Sequence, residues 1–162
     1  MATVQQVGSG AERTWTVVGD DYLAVGPIEE FLEFMRVARA ASPHTIRSYA
    51  TALSGLWRDL EVAGVAWDEA DVAQLTGYLR RVRDGEEVGV RRLLVGGAEA
   101  VERPAGATVA TRWAAVSSFY RYHADAHGVA VGERLSRPGR SRRGGYRPAL
   151  GHTARREGRE AV

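Results

Sequence analysis

Ser42-Pro43-His44-Thr45-Ile46-Arg47-Ser48-Tyr49 opens the stretch, running on to Leu60, that decides how this chain folds. A hydroxyl side chain followed by proline is a helix start, the hydroxyl capping a free backbone N–H and the proline sitting where no N–H is needed. Beyond it Ile46, Tyr49, Leu53, Leu56, Trp57 and Leu60 fall on one stripe at helical spacing. The pattern predicts an amphipathic helix that stops near Gly64. Its opposite face carries Arg47, Thr51, Ser54 and Arg58, and His44 and Ser48 extend that face at the N-terminal end.

The same reasoning works outward. Upstream, Pro27 suits the first position of a helix and Glu29 and Glu30 its first turn, while Ile28, Phe31, Leu32, Met35 and Ala38 repeat at helical spacing to about Ala40. Downstream, Asp68 to Asp71 caps a third helix with Val72, Leu75, Leu79 and Val82 inside, ending at Asp84-Gly85. A fourth runs from Thr108 to Gly128, with Val109, Trp113, Val116, Phe119, Tyr120 and Ala124 facing inward. Trp57 and Trp113 are assigned to the core. Residues 86 to 106 are rich in Gly and charge around Leu93-Leu94-Val95 and read as a long loop or loose hairpin. The expected class is all-α, four to five helices, in three parts: a flexible N-terminal arm at 1–21, a helical domain at 22–128 and an Arg-rich linker at 129–162. Thr14 to Val18 has strand character but is too short to anchor a sheet alone.

At 162 residues the chain has room for one domain with tails. Its 44% hydrophobic and 26% charged residues are those of an ordinary packed domain. All 22 basic residues other than His are Arg, which a GC-rich coding bias produces and which also suits a surface that meets phosphates. The charge is uneven: residues 1–128 hold 13 Arg against 17 acids, and residues 129–162 hold 9 Arg against 3. That basic tail cannot bury enough apolar surface to offset its ordering entropy and is expected to be a linker. There is no Cys, hence no disulfide frame or thiolate metal site. No apolar run is long enough to span a bilayer and no leader pattern opens the chain, so a cytoplasmic protein without a membrane partner is expected.

Four helices in this order, with Ser42-Pro43-His44-Thr45 and Tyr49 at the start of the second and Arg112-Trp113-Ala114-Ala115-Val116-Ser117-Ser118-Phe119-Tyr120 after Thr108 in the fourth, resemble the N-terminal core-binding (SAM-like) domain of tyrosine recombinases and phage integrases. The likeness spans roughly residues 15 to 128. It implies a domain that packs one face of a DNA duplex, joined by a basic linker to a separate cleavage domain that closes a clamp. The family's chemistry uses an Arg, a Lys, a His-x-x-Arg box and a nucleophilic Tyr. Here Lys is absent, and His44 with Arg47 and His152 with Arg155 have that spacing outside any matching context. Tyr146 stands in an Arg-Gly-Gly-Tyr-Arg stretch without the scaffold a nucleophile needs. The expectation is a DNA-binding part of a recombinase that does not cut.

On that resemblance the residues expected to meet DNA are His44, Thr45, Arg47, Ser48, Thr51 and Arg58 of the second helix. Thr108, Thr111, Arg112 and Arg121 of the fourth join them, with Arg140, Arg142 and Arg143 of the tail. Arg pairs with phosphate or bidentately with guanine, and small hydroxyls let a helix approach the backbone closely. The plain alternative for each is a solvated helix face, and for Ser117 and Ser118 a small residue that permits helix packing. The expected partners are double-stranded DNA and other recombinase protomers, with no small-molecule substrate and no cofactor. His123 and His127 have metal-ligand spacing, but no Glu completes a His-Glu-x-x-His frame and Asp125 lies on another side of the helix. They are expected to be solvated or capping, with no metal. Two other functions stay open: a helical protein-interaction module, and a DNA-binding regulator.

Overall fold

The computed structural model describes residues 1–86, 93–95, 98–100 and 106–136. Five helices account for most of them: α1 (Gly26–Val37), α2 (Pro43–Ala63), α3 (Val72–Asp84), α4 (Gly106–His127) and α5 (Ala130–Ser136). Two antiparallel hairpins accompany them, β1 (Thr3–Val7) with β2 (Thr14–Val18), and β3 (Leu93–Val95) with β4 (Ala98–Ala100).

The helix boundaries follow from local chemistry. Ser42 accepts a hydrogen bond from the Thr45 amide to start α2, and Gly64, in the left-handed conformation at φ +66°, ends it. Asp71 and Gln74 form a reciprocal capping box at the head of α3, and Gly85 closes that helix the same way at φ +76°. Such positions suit glycine because a Cβ would crowd the following carbonyl. The shorter α1 stops at Val37, before the expected Ala40.

The long helix α2 sits at the centre, packed by β2, α4, α1 and β1. Its interior therefore includes small residues, Ala50, Ala52, Ser54 and Gly55, beside Leu53 and Leu56. Phe31 of α1 stacks on Tyr49 and meets Phe119 edge-on at 5.7 Å. Trp67, in the α2–α3 connection, packs against Phe119 and His123, and the Tyr120 hydroxyl donates to its carbonyl at 2.8 Å. Burial pushes the Tyr120 phenol well above its ordinary value.

Several expectations need correction. The N-terminal segment is no flexible arm: its hairpin buries Ala2, Thr16, Val17 and Val18, and β2 lies on α2. The expected linker from 129 begins instead with α5, which packs on α4 and buries Val129 and Val131. Trp113 is not core, being 36% exposed, whereas Tyr78 is fully buried. Ser54 is buried and not on an open polar face. His123, expected to be solvated or capping, is buried, and burial holds its imidazole below the usual pKa. Within 86–106, read as a long loop or a loose hairpin, β3 and β4 pair as an antiparallel hairpin.

Candidate nucleic-acid interface

The first turns of α2 and of α4 flank one open groove of about 380 Å³. From α2 come His44, Arg47, Ser48, Thr51 and Ala52, and from α4 come Ala107, Thr108, Thr111 and Arg112. Each set steps through its helix at spacings of three and four, so it forms a continuous strip on one face. Among the described residues no Asp or Glu lines the groove. Two arginines and a histidine thus line one space.

Arg47 is exposed, and its guanidinium lies 4.7 Å from the centre of the Trp15 ring on β2. A cation over an aromatic face is held by the ring quadrupole while its N–H edges stay free for a partner. The N-terminal hairpin therefore positions a groove residue, a role its sequence gave no sign of. Arg112 is half-buried and donates to the Tyr78 hydroxyl at 3.2 Å. That hydroxyl donates in turn to the Ala52 carbonyl at 3.1 Å. This chain ties α4 through α3 to α2 and fixes where Arg112 stands. Tyr78 escaped the sequence reading because it lies one position from Leu79, which the apolar repeat favoured.

Thr51 and Thr111 play a narrower part than expected. Each hydroxyl donates to the carbonyl one turn back in its own helix, Arg47 and Ala107 respectively, both at 2.9 Å. Their oxygens can still accept, and their methyl groups form the wall, so they shape the groove without adding donors.

Three other expected contacts lie elsewhere. Thr45 belongs to the cap of α2, its hydroxyl 3.0 Å from that of Ser42. Arg58 is drawn beneath the hairpin, where it donates to the Ala2 carbonyl at 3.3 Å and its Nε is buried. Arg121 lines a separate groove with Tyr49, Ser118 and Asp125 and donates to the Leu135 carbonyl of α5. Ser117 is buried and Ser118 half-buried, as packing residues would be. Arg140, Arg142 and Arg143 lie outside the described residues.

A helical domain with a groove between two helices that, among the described residues, is lined by basic and no acidic side chains is the class that this geometry defines. The chain belongs to the family described as phage integrase, N-terminal SAM-like domain, whose model matches residues 28–127. The match takes in α1 to α4 and leaves the β1–β2 hairpin and α5 outside it. No curated protein and no solved structure matches the chain. No helix among the described residues is long and apolar enough to cross a membrane.

Proposed function

We propose that this chain binds duplex DNA through the α2–α4 groove, as the core-binding part of a site-specific tyrosine recombinase, and that it does not itself cleave a strand. The observation that carries this reading is the union of Arg47, Arg112 and His44 in one groove that no carboxylate of a described residue lines. Arg47 pairs with a phosphate or with the O6 and N7 edge of a guanine, while Arg112, held by Tyr78, sets the register of the duplex. The small residues Ala52, Ala107 and Thr108 let the backbone approach closely. The basic tail adds attraction that carries no sequence information.

We infer that the DNA-binding unit extends through α5 to Ser136, with the basic segment following it. Titration of the chain with recombination-site and random duplexes, by gel shift or fluorescence anisotropy, tests the proposal. Binding that weakens steeply with salt and falls in the Arg47→Ala variant is expected. Absence of any complex at low salt, or equal binding by that variant, refutes it. A nicked duplex offered to the chain is expected to give no covalent protein–DNA adduct.

A further inference from the structure

The C-terminal end of α4 holds a second cluster of polar side chains. His123 and His127, one turn apart, stack with ring centres 5.4 Å apart. The fold brings Glu30 of α1 to them, and one donor atom from each of the three residues lies within 4.8 Å of the other two. On α4 alone the two histidines lack a carboxylate partner, and only the α1–α4 contact supplies one.

We propose that Glu30, His123 and His127 form a site for a divalent transition metal, Zn²⁺ above all, that staples the beginning of α1 to the end of α4. The ligand chemistry fits. His123 donates through Nε2 to the Pro27 carbonyl at 3.0 Å, since a carbonyl can only accept. Its Nδ1 therefore carries the lone pair, and this buried atom has no hydrogen-bond partner. A buried acceptor without a partner is a cost that a metal ion removes. His127 Nε2 already meets Glu30 Oε1 at 2.7 Å, and the Tyr122 hydroxyl donates to the same carboxylate at 2.9 Å. That outer hydrogen bond orients a ligand in the way partners of metal-bound groups do.

Bonds of about 2.0–2.2 Å to nitrogen and oxygen around a tetrahedral ion place ligand atoms roughly 3.3 Å apart. The longest edge must therefore close, and the 2.7 Å His127–Glu30 edge must open, His127 Nε2 releasing to solvent the proton of that hydrogen bond as the ion binds. His123 is fixed in the core, while His127 and Glu30 are each about half exposed and free to adjust. Two imidazoles and a carboxylate without thiolate favour Zn²⁺ over harder cations, and water completes the fourth position.

The test uses the full chain, stripped with a chelator, in a His44→Ala/His152→Ala background that leaves only the two histidines of the cluster. Zn²⁺ is titrated by calorimetry, and Co²⁺ is followed by the visible absorption of a tetrahedral site. One ion per chain is expected, with a rise in Tm on adding Zn²⁺. His127→Ala and Glu30→Gln are each expected to weaken binding at least about tenfold and to abolish the Tm rise. Far-UV circular dichroism of the metal-free variants checks their fold, and if one fails to fold the other decides. No saturable binding, or binding that both folded variants retain, overturns the proposal.

Discussion

At the scale of single residues, the environment of each arginine decides its use. Arg47 keeps its hydrogen-bonding edges in the groove because Trp15 takes its face. Arg47→Ala is expected to lower the slope of log affinity against log salt by about 0.9, the signature of one lost phosphate contact. Trp15→Leu leaves the charge but releases its direction. With an exposed cation–π contact at about 0.5–1 kcal/mol, affinity should fall roughly two- to fivefold while the salt slope holds. Anisotropy titrations at several salt concentrations separate the two.

The Asp59–Arg81 pair follows another logic. Arg81 donates to both carboxylate oxygens, at 2.7 and 2.5 Å, and its guanidinium stays protonated more firmly than usual because Asp59 accepts those bonds. Asp59 is 5% exposed and Arg81 41%. Arg81→Ala strands a buried carboxylate and should cost about 3 kcal/mol. Asp59→Ala leaves an arginine that can turn into water, and should cost nearer 1–2 kcal/mol. Urea denaturation of the two variants measures the difference, and equal losses would contradict the burial argument.

Elements were legible where their own sequence carries the signal. Ser42, Asp71, Gly64, Gly85 and the apolar stripes mark α2 and α3 to within a residue or two. Arg47 and Arg112 each fall on one strip of their own helix by helical spacing, and the packing of α2 against α4 brings the two strips to one groove. The β1–β2 hairpin escaped because neither strand is stable without the surface of α2 beneath it, a long-range contact invisible in five-residue segments. The positions of Arg58 and Arg121 escaped with it, since Ala2, just before β1, claims one and α5 the other. Helix α5 was hidden by Gly132, which argues against a helix locally. In the structure that glycine is a packing requirement: a Cβ there would stand 2.0 Å from the Tyr120 carbonyl oxygen and 2.6 Å from the Ala124 Cβ. Gly132→Ala should therefore detach α5 from α4 at a cost of about 1–3 kcal/mol. Hydrogen exchange should show lost protection at Ala130–Ser136 while α2 and α3 keep theirs.

For the whole molecule, charge is partitioned in a way that assigns attraction and orientation to different parts. Residues 1–136 hold 14 Arg against 18 acids, whereas residues 137–162 hold 8 Arg against 2. On the proposed reading, a body of net negative charge repels DNA over most of its surface and would accept it at the α2–α4 groove, where no carboxylate of a described residue intervenes. On the same reading the tail would add a pull that is indifferent to sequence, because contacts to phosphate do not distinguish bases. Deleting residues 137–162 should therefore weaken binding to recombination-site and random duplexes alike. The salt slope should drop by up to about 5, if each unit of the tail's net charge neutralises one phosphate. The ratio between the two duplexes should survive, since the groove is intact, whereas Arg47→Ala in the full chain should shrink it if Arg47 reads a base edge. Parallel titrations of the two proteins against both duplexes measure slope and ratio together. A truncation that erased the ratio while leaving the slope unchanged would place recognition in the tail and remove the groove from the account.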